Sequence, residues 1–117
     1  MTTYADRPWT KHYDDHVPAS LEPYPTKVVH DYLRQAAKSH PDRIAFTTTA
    51  KIPVVGRQDT HLTYRELDSK SDALAAALIE LGLKKGDRVA IVMPNTTSFG
   101  IAYWAILKAG GVVAATN

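Results

Sequence analysis

The groups of this 117-residue chain most able to do chemistry are five histidines, five serines and one adjacent pair of aspartates. His12 and His16 stand four apart, which on a helix would put both imidazoles on one face, but the glutamate that a zinc hydrolase motif requires between them is missing. His30, His40 and His61 are scattered singly. Asp14 and Asp15 are neighbours, so in an extended segment their carboxylates point apart and are read as solvated charges rather than an acid and base pair. None of Ser20, Ser39, Ser69, Ser71 and Ser98 lies in G-x-S-x-G, which leaves nucleophilic hydrolysis without a candidate. No cysteine is present, which excludes thiol catalysis, a disulfide framework and a thiolate metal site.

The turn Pro94-Asn95-Thr96-Thr97-Ser98 follows an apolar run and precedes a helical pattern, where a doubly wound fold often seats a phosphate. It carries neither G-x-G-x-x-G nor G-x-x-x-x-G-K-[ST], so its backbone lacks the glycines needed for close approach to a diphosphate. The turn is therefore expected to be a helix cap, at most lining a site built elsewhere. Lys84, Lys85 and Arg88, with Lys108, read as a small solvated positive patch. No catalytic, cofactor-binding or metal-ligating residue is expected in the chain.

The elements that would position these groups are legible in the spacing. Four of the seven prolines fall within residues 1–25, beside Trp9, Tyr13 and Tyr24, with hardly any aliphatic side chain. This is an extended proline-rich and aromatic arm, whose rings must either dock on another surface, such as a neighbouring copy, or remain loosely ordered, and docking is expected. Residues 26–117 read as an α/β subdomain. Val28, Val29, Tyr32, Leu33, Ala36 and Ala37 recur at helical spacing, predicting a helix over 26–39 with Thr26 as its cap and Pro41 beyond its end. Residues 43–49 alternate as a strand and pair antiparallel with a second run from Val54-Val55 to His61-Leu62, through a loop at Gly56–Asp59.

Thr63-Tyr64-Arg65-Glu66 fits a capping box and starts a helix at Tyr64. Leu67, Leu74, Leu78 and Leu81 share one stripe of it, Ser71 fills the gap, and Gly82 suits a left-handed cap. After a turn at Lys84–Asp87, the continuous apolar run Val89–Met93 predicts a strand buried on both faces. A helix carrying Ile101, Ala102, Ala105, Ile106 and Ala109 follows, stopped by Gly110-Gly111 before the strand Val112–Ala115. Strand, helix and strand over 88–115 make a βαβ unit on a partly parallel sheet, with the preceding helix expected on the opposite face.

Composition agrees with a folded α/β domain: 44% hydrophobic and 22% charged residues, with 14 Lys+Arg against 12 Asp+Glu. The net charge of +2 is too small and too dispersed for a nucleic-acid binder. The longest uncharged apolar run, Phe99–Leu107, is far short of the ~20 residues that cross a bilayer, and the first residues lack the basic and apolar regions of a secretory signal. Because the chain stops just after a buried strand, it is expected to be part of a longer polypeptide.

Leu62-Thr63-Tyr64-Arg65-Glu66-Leu67, Leu83-Lys84-Lys85-Gly86-Asp87-Arg88-Val89-Ala90, Met93-Pro94-Asn95 and Leu107-Lys108-Ala109-Gly110-Gly111-Val112-Val113 resemble, in order and spacing, the opening signatures of the acyl-adenylate-forming (AMP-binding) superfamily. The first is similar to its first core motif and the last to its second. Arg7-Pro8-Trp9, with Val17-Pro18 and Tyr24-Pro25, is similar to the start of long-chain fatty acid CoA ligases. The resemblance implies the N-terminal part of that fold and, for the full-length parent, an enzyme that joins a fatty acid to ATP, releases diphosphate and passes the acyl group to CoA with Mg²⁺ assisting.

In such enzymes the phosphate loop, ribose ligand, hinge and catalytic lysine come later in the chain, so no family catalytic residue maps onto any position here. The resemblance thus implies a scaffold that is inactive alone and binds no ATP, Mg²⁺ or CoA by itself. It also implies a cytoplasmic parent, at most peripheral to the inner face of a membrane. The alternatives are a stand-alone α/β binding module that associates through its arm, or the adenylation domain of a peptide synthetase.

Overall fold

The computed structural model describes residues 4–116; the first three residues of the arm and Asn117 lie outside the described residues. Two short 3₁₀ turns, Tyr4–Asp6 and Pro8–His12, open the arm. Then follow α1 (Val29–Ser39), β1 (Ile44–Ile52), β2 (Gly56–Thr63), α2 (Tyr64–Glu80), β3 (Arg88–Val92), α3 (Thr97–Lys108) and β4 (Val112–Thr116). Two two-stranded sheets result: β1 and β2 antiparallel, β3 and β4 parallel.

The arm does not dock its rings on the helices or sheets. Trp9 meets Tyr4 within the arm at 4.9 Å between ring centroids, while Tyr13 and Tyr24 stay exposed. α1 starts at Val29 rather than Thr26, with Val28 at its N-cap and no side chain capping it. Thr26 lies two residues before that cap, out of register for the role. Of the apolar set expected on α1, only Leu33 is buried; Val28, Val29 and Tyr32 are about half exposed.

The β1–β2 hairpin is longer than the sequence suggests. Pairing runs from Ile44 opposite Thr63 to Ile52 opposite Gly56, so Arg57, Gln58 and Asp59 belong to the strand and the turn is Pro53-Val54-Val55. Pro53 has no N–H for the ladder and Val54 takes a left-handed φ of 71°, so the reversal falls there. Polar Gln58 and Asp59 stay in the strand because they are paired across it with Ala50 and Thr49.

α2 begins on a complete capping box. Thr63 Oγ1 accepts from the Glu66 N–H, and the Glu66 carboxylate accepts from the Thr63 N–H at 2.8 Å and from its hydroxyl at 3.0 Å. The two preceding free N–H groups are also taken: Tyr64 donates to the Arg43 carbonyl and Arg65 to the Pro41 carbonyl. The helix ends as expected, on Gly82 at φ 99° with the Leu83 N–H reaching back to the Leu78 carbonyl. Leu81, however, is 85% exposed, because it lies at the cap, where the chain leaves the stripe.

Glu66 gives the fold an acid-sensitive element. The Thr63 backbone N–H, and then its hydroxyl, hold the carboxyl below its ordinary value. A depressed folded pKa contributes stability above the unfolded value, lost as pH falls through the folded one. Glu66→Gln keeps an acceptor at this position but removes the charge. It is expected to melt below the parent at neutral pH, with the gap narrowing as pH falls through the lowered value of Glu66; thermal melts from neutral into acid check it, and a gap independent of pH would remove the assignment.

The βαβ unit forms as predicted, in parallel register from Arg88 opposite Val112 to Val92 opposite Thr116. Two expectations about it fail. β3 is covered on one face only: Ile91 is buried, but Val92 is 70% exposed and Ala90 is open too. α2 also lies on the same side as α3, packing along it, and the apolar groove that Leu74 and Leu78 of α2 share with Ala102 and Ile106 of α3 and with β3 records that layer. A continuous apolar run reports only that both faces can be covered; within the described residues, helices cover one.

The core joins α1, β2 and α2 through Leu33, Leu62 and Leu67, with Phe46, Tyr64, Ile101 and Trp104 around them. α3 reaches this core closely because Gly100 has no side chain: an added Cβ would lie 3.0 Å from the Phe46 ring. The radius of gyration, 19.3 Å, exceeds the ~13 Å of a compact chain this size, reflecting the arm and the open sheet.

Candidate functional site

A concavity opens at the carboxyl end of β3, where Val92, Met93, Pro94 and Asn95 line about 540 Å³. A second cavity of about 310 Å³ shares Asn95 and is walled by Phe46, Thr47 and Thr48 of β1 and by Thr96 and Phe99 at the start of α3. Ligands of open α/β sheets commonly bind beyond the carboxyl ends of the strands, so this crevice is the candidate site.

Its chemistry is limited by what lines it. The polar atoms are the Asn95 amide and three threonine hydroxyls, two of them already engaged. Thr47 Oγ1 hydrogen-bonds His61 Nδ1 at 3.0 Å, and Thr48 Oγ1 accepts from the Thr97 N–H at 2.8 Å. No lining residue titrates near neutral pH, so the walls can shape and orient a bound group but not move its protons.

The expected cap cluster at Thr96–Ser98 does not cap itself. Thr96 occupies the N-cap without a side-chain bond, and the cap comes from Thr48, 49 residues earlier. With the Thr97 N–H so occupied and no glycine between Val92 and Phe99, the turn does not fit a diphosphate cradle.

The other sequence candidates are not brought here. His12 ends the second 3₁₀ turn, so His16 lies beyond it and the two do not share a helix face. Among the described residues no group of three His, Cys, Asp or Glu side chains is placed to hold a metal ion. Asp14 and Asp15 are exposed, Ser20 accepts from the Glu22 N–H, and Ser71 is buried and donates to the Asp68 carbonyl. On the hairpin, Asp59 is held below the ordinary carboxylate range by Thr49 Oγ1 and then by Arg57.

Lys108 is not part of a solvated patch. Its side chain is 2% exposed, and the ammonium lies between Asp68 Oδ1 at 2.6 Å, Asp72 Oδ1 at 2.8 Å and the Asp68 carbonyl at 2.9 Å. The sequence reading missed Asp68, Asp72 and Thr48. The acidic pair at helical spacing i and i+4 was the one local sign of them; their partners are far along the chain.

The fold thus defines an α/β unit with a crevice at the carboxyl end of β3 that is lined by apolar side chains, an amide and hydroxyls. The AMP-binding enzyme family matches residues 33–117, and the chain belongs to that family. A long-chain-fatty-acid–CoA ligase of Salmonella typhimurium is 36% identical over 110 residues, covering 93% of this chain and 18% of that protein. Among solved structures, a fatty acyl-adenylate ligase from L. pneumophila, in complex with acyl adenylate and pyrophosphate, superposes with a TM-score of 0.68 at 28% identity, over 74% of this chain and 14% of that one. An artificially fused adenylation and carrier di-domain of a Klebsiella oxytoca peptide synthetase gives a TM-score of 0.69 at 33% identity, over 80% of this chain and 16% of that one. The chain therefore spans about a fifth of the length of the Salmonella relative.

Proposed function

We propose that this chain is the opening scaffold of an ATP-dependent long-chain fatty acid CoA ligase, which forms an acyl adenylate with release of diphosphate and then an acyl-CoA. In this reading ATP, Mg²⁺ and CoA are held by polypeptide outside the 117 residues. The segment contributes one wall of the crevice, through Phe46, Thr48, Asn95 and Phe99, and no reacting group. The exposed aromatic arm is read as the surface through which copies associate.

The observation that carries the substrate class is the reach of the similarity. The match to the Salmonella ligase takes in 93% of the chain and so includes most of the arm, whereas a salicyl-AMP ligase of Mycobacterium tuberculosis matches over 68% of it, less than the α/β part. That difference favours the fatty-acid reading over an enzyme that activates aryl acids.

Diphosphate release from ATP tests it. The 117-residue chain is expected to release none with palmitate, and the protein extended past Asn117 is expected to respond to palmitate but not to amino acids or aryl acids. Turnover by the short chain would overturn the scaffold assignment, and an amino-acid response by the long one would overturn the substrate class.

A further inference from the structure

The turn of the β1–β2 hairpin breaks three local rules at once. Ile52-Pro53-Val54-Val55 is an apolar run at the far end of the ribbon, with Val54 fully exposed, Val55 62% and Ile52 44% exposed. Val54 is a β-branched residue at φ 71°, a conformation that such side chains rarely adopt and that Gly or Asn would take without penalty. Directly below, Lys51 pairs across the strands with Arg57, two like charges where opposite charges would stabilise the ladder. Departures from local preference that gather at one place are a mark of function.

What the tip could touch follows from its shape and charge. It is convex and narrow, the end of a two-stranded ribbon, and so offers little area to a flat protein surface. It has an apolar point and a cationic collar. Asp59 bonds both Thr49 and the Arg57 guanidinium, fixing the latter beside the strand, and Lys51 opposite makes no ion pair among the described residues. An apolar point that enters the acyl boundary, with cations at headgroup depth, complements a bilayer carrying anionic lipid.

We propose that the hairpin tip is a lipid-contacting element, inserting Ile52, Val54 and Val55 into an anionic membrane surface with Lys51 and Arg57 at the headgroups. The inference rests on the tip alone and stands whether or not the parent enzyme activates fatty acids.

Sedimentation with vesicles of phosphatidylcholine and phosphatidylglycerol tests it. Val54→Asp with Val55→Asp is expected to lower partitioning by about tenfold or more. Lys51→Gln is expected to lower it about fivefold on these vesicles and to leave weak binding to pure phosphatidylcholine unchanged. Because the chain has no cysteine, a nitrobenzoxadiazole dye on Val54→Cys gives a readout that does not depend on how the aspartate variant folds. Its emission is expected to shift to the blue with vesicles, while the same dye on Ser69→Cys, exposed on α2, stays unshifted. Equal sedimentation of parent and aspartate variant, or no shift at position 54, would overturn the proposal. So would a vesicle-free fall in mass by light scattering when the tip is charged, since the tip would then join copies of the chain.

Discussion

Lys108→Met is expected to cost the fold about 2–4 kcal/mol, measured by urea unfolding with an unchanged slope. The ammonium spends all three donors between α2 and α3, on both carboxylates and on the Asp68 carbonyl. Methionine matches the stem but leaves two carboxylates one turn apart with no cation between them. Removing one partner of a buried pair costs far more than the pair is worth against an apolar replacement. The figure stays below that of a fully enclosed triad because Asp72 is half exposed and can turn to water. Adding Asp72→Asn to Lys108→Met is expected to restore part of the loss by ending the repulsion. Lys84→Met, on the exposed turn, is expected to change stability by less than about 0.5 kcal/mol. Were Lys108→Met as stable as the parent, the buried cation would not be what ties α3 to α2.

Leu67→Ala is expected to cost about 3 kcal/mol, from lost burial plus the cavity left behind. Leu67 is 1% exposed and fills the centre where α1, β2 and α2 meet, between Leu33 and Leu62. Collapse around the void is limited because α2 is pinned there: its first three N–H groups are held by Arg43, Pro41 and Thr63, so the helix cannot slide inward without breaking them. Against a total stability of about 5–15 kcal/mol for a domain, that is a large share. Leu81→Ala is expected to be nearly neutral, since Leu81 is 85% exposed. Thermal or urea melts of the two variants side by side check this. Similar losses at both positions would mean that the stripe read from spacing, and not the observed burial, describes the helix.

Those two leucines show where sequence reading holds and where it stops. Spacing put both on one stripe, and the periodicity is real, but the burial of a stripe residue depends on what lies opposite it. The crevice shows the same division. The turn at Pro94–Ser98 was recognisable as a helix start without phosphate-binding glycines. That its cap arrives from Thr48 was not, because a cap from another element leaves no local trace. Lys108 is the sharpest case: three lysines and an arginine near two turns look like surface charge, and only the packing of α3 on α2 turns one of them inward.

Local chemistry alone determined the capping box at Thr63 and Glu66, the glycine stops at Gly82 and Gly110, the parallel pair around α3 and the likeness to the AMP-binding family. Each depends on groups a few residues apart, or on short signatures in a fixed order. Tertiary structure decided the side on which α2 lies, the single covered face of β3, the extent of the hairpin and its apolar tip, and the partners of Lys108 and Thr97. Those depend on which surfaces meet across dozens of residues of chain, and the free energy of such a meeting is written in no single stretch of it.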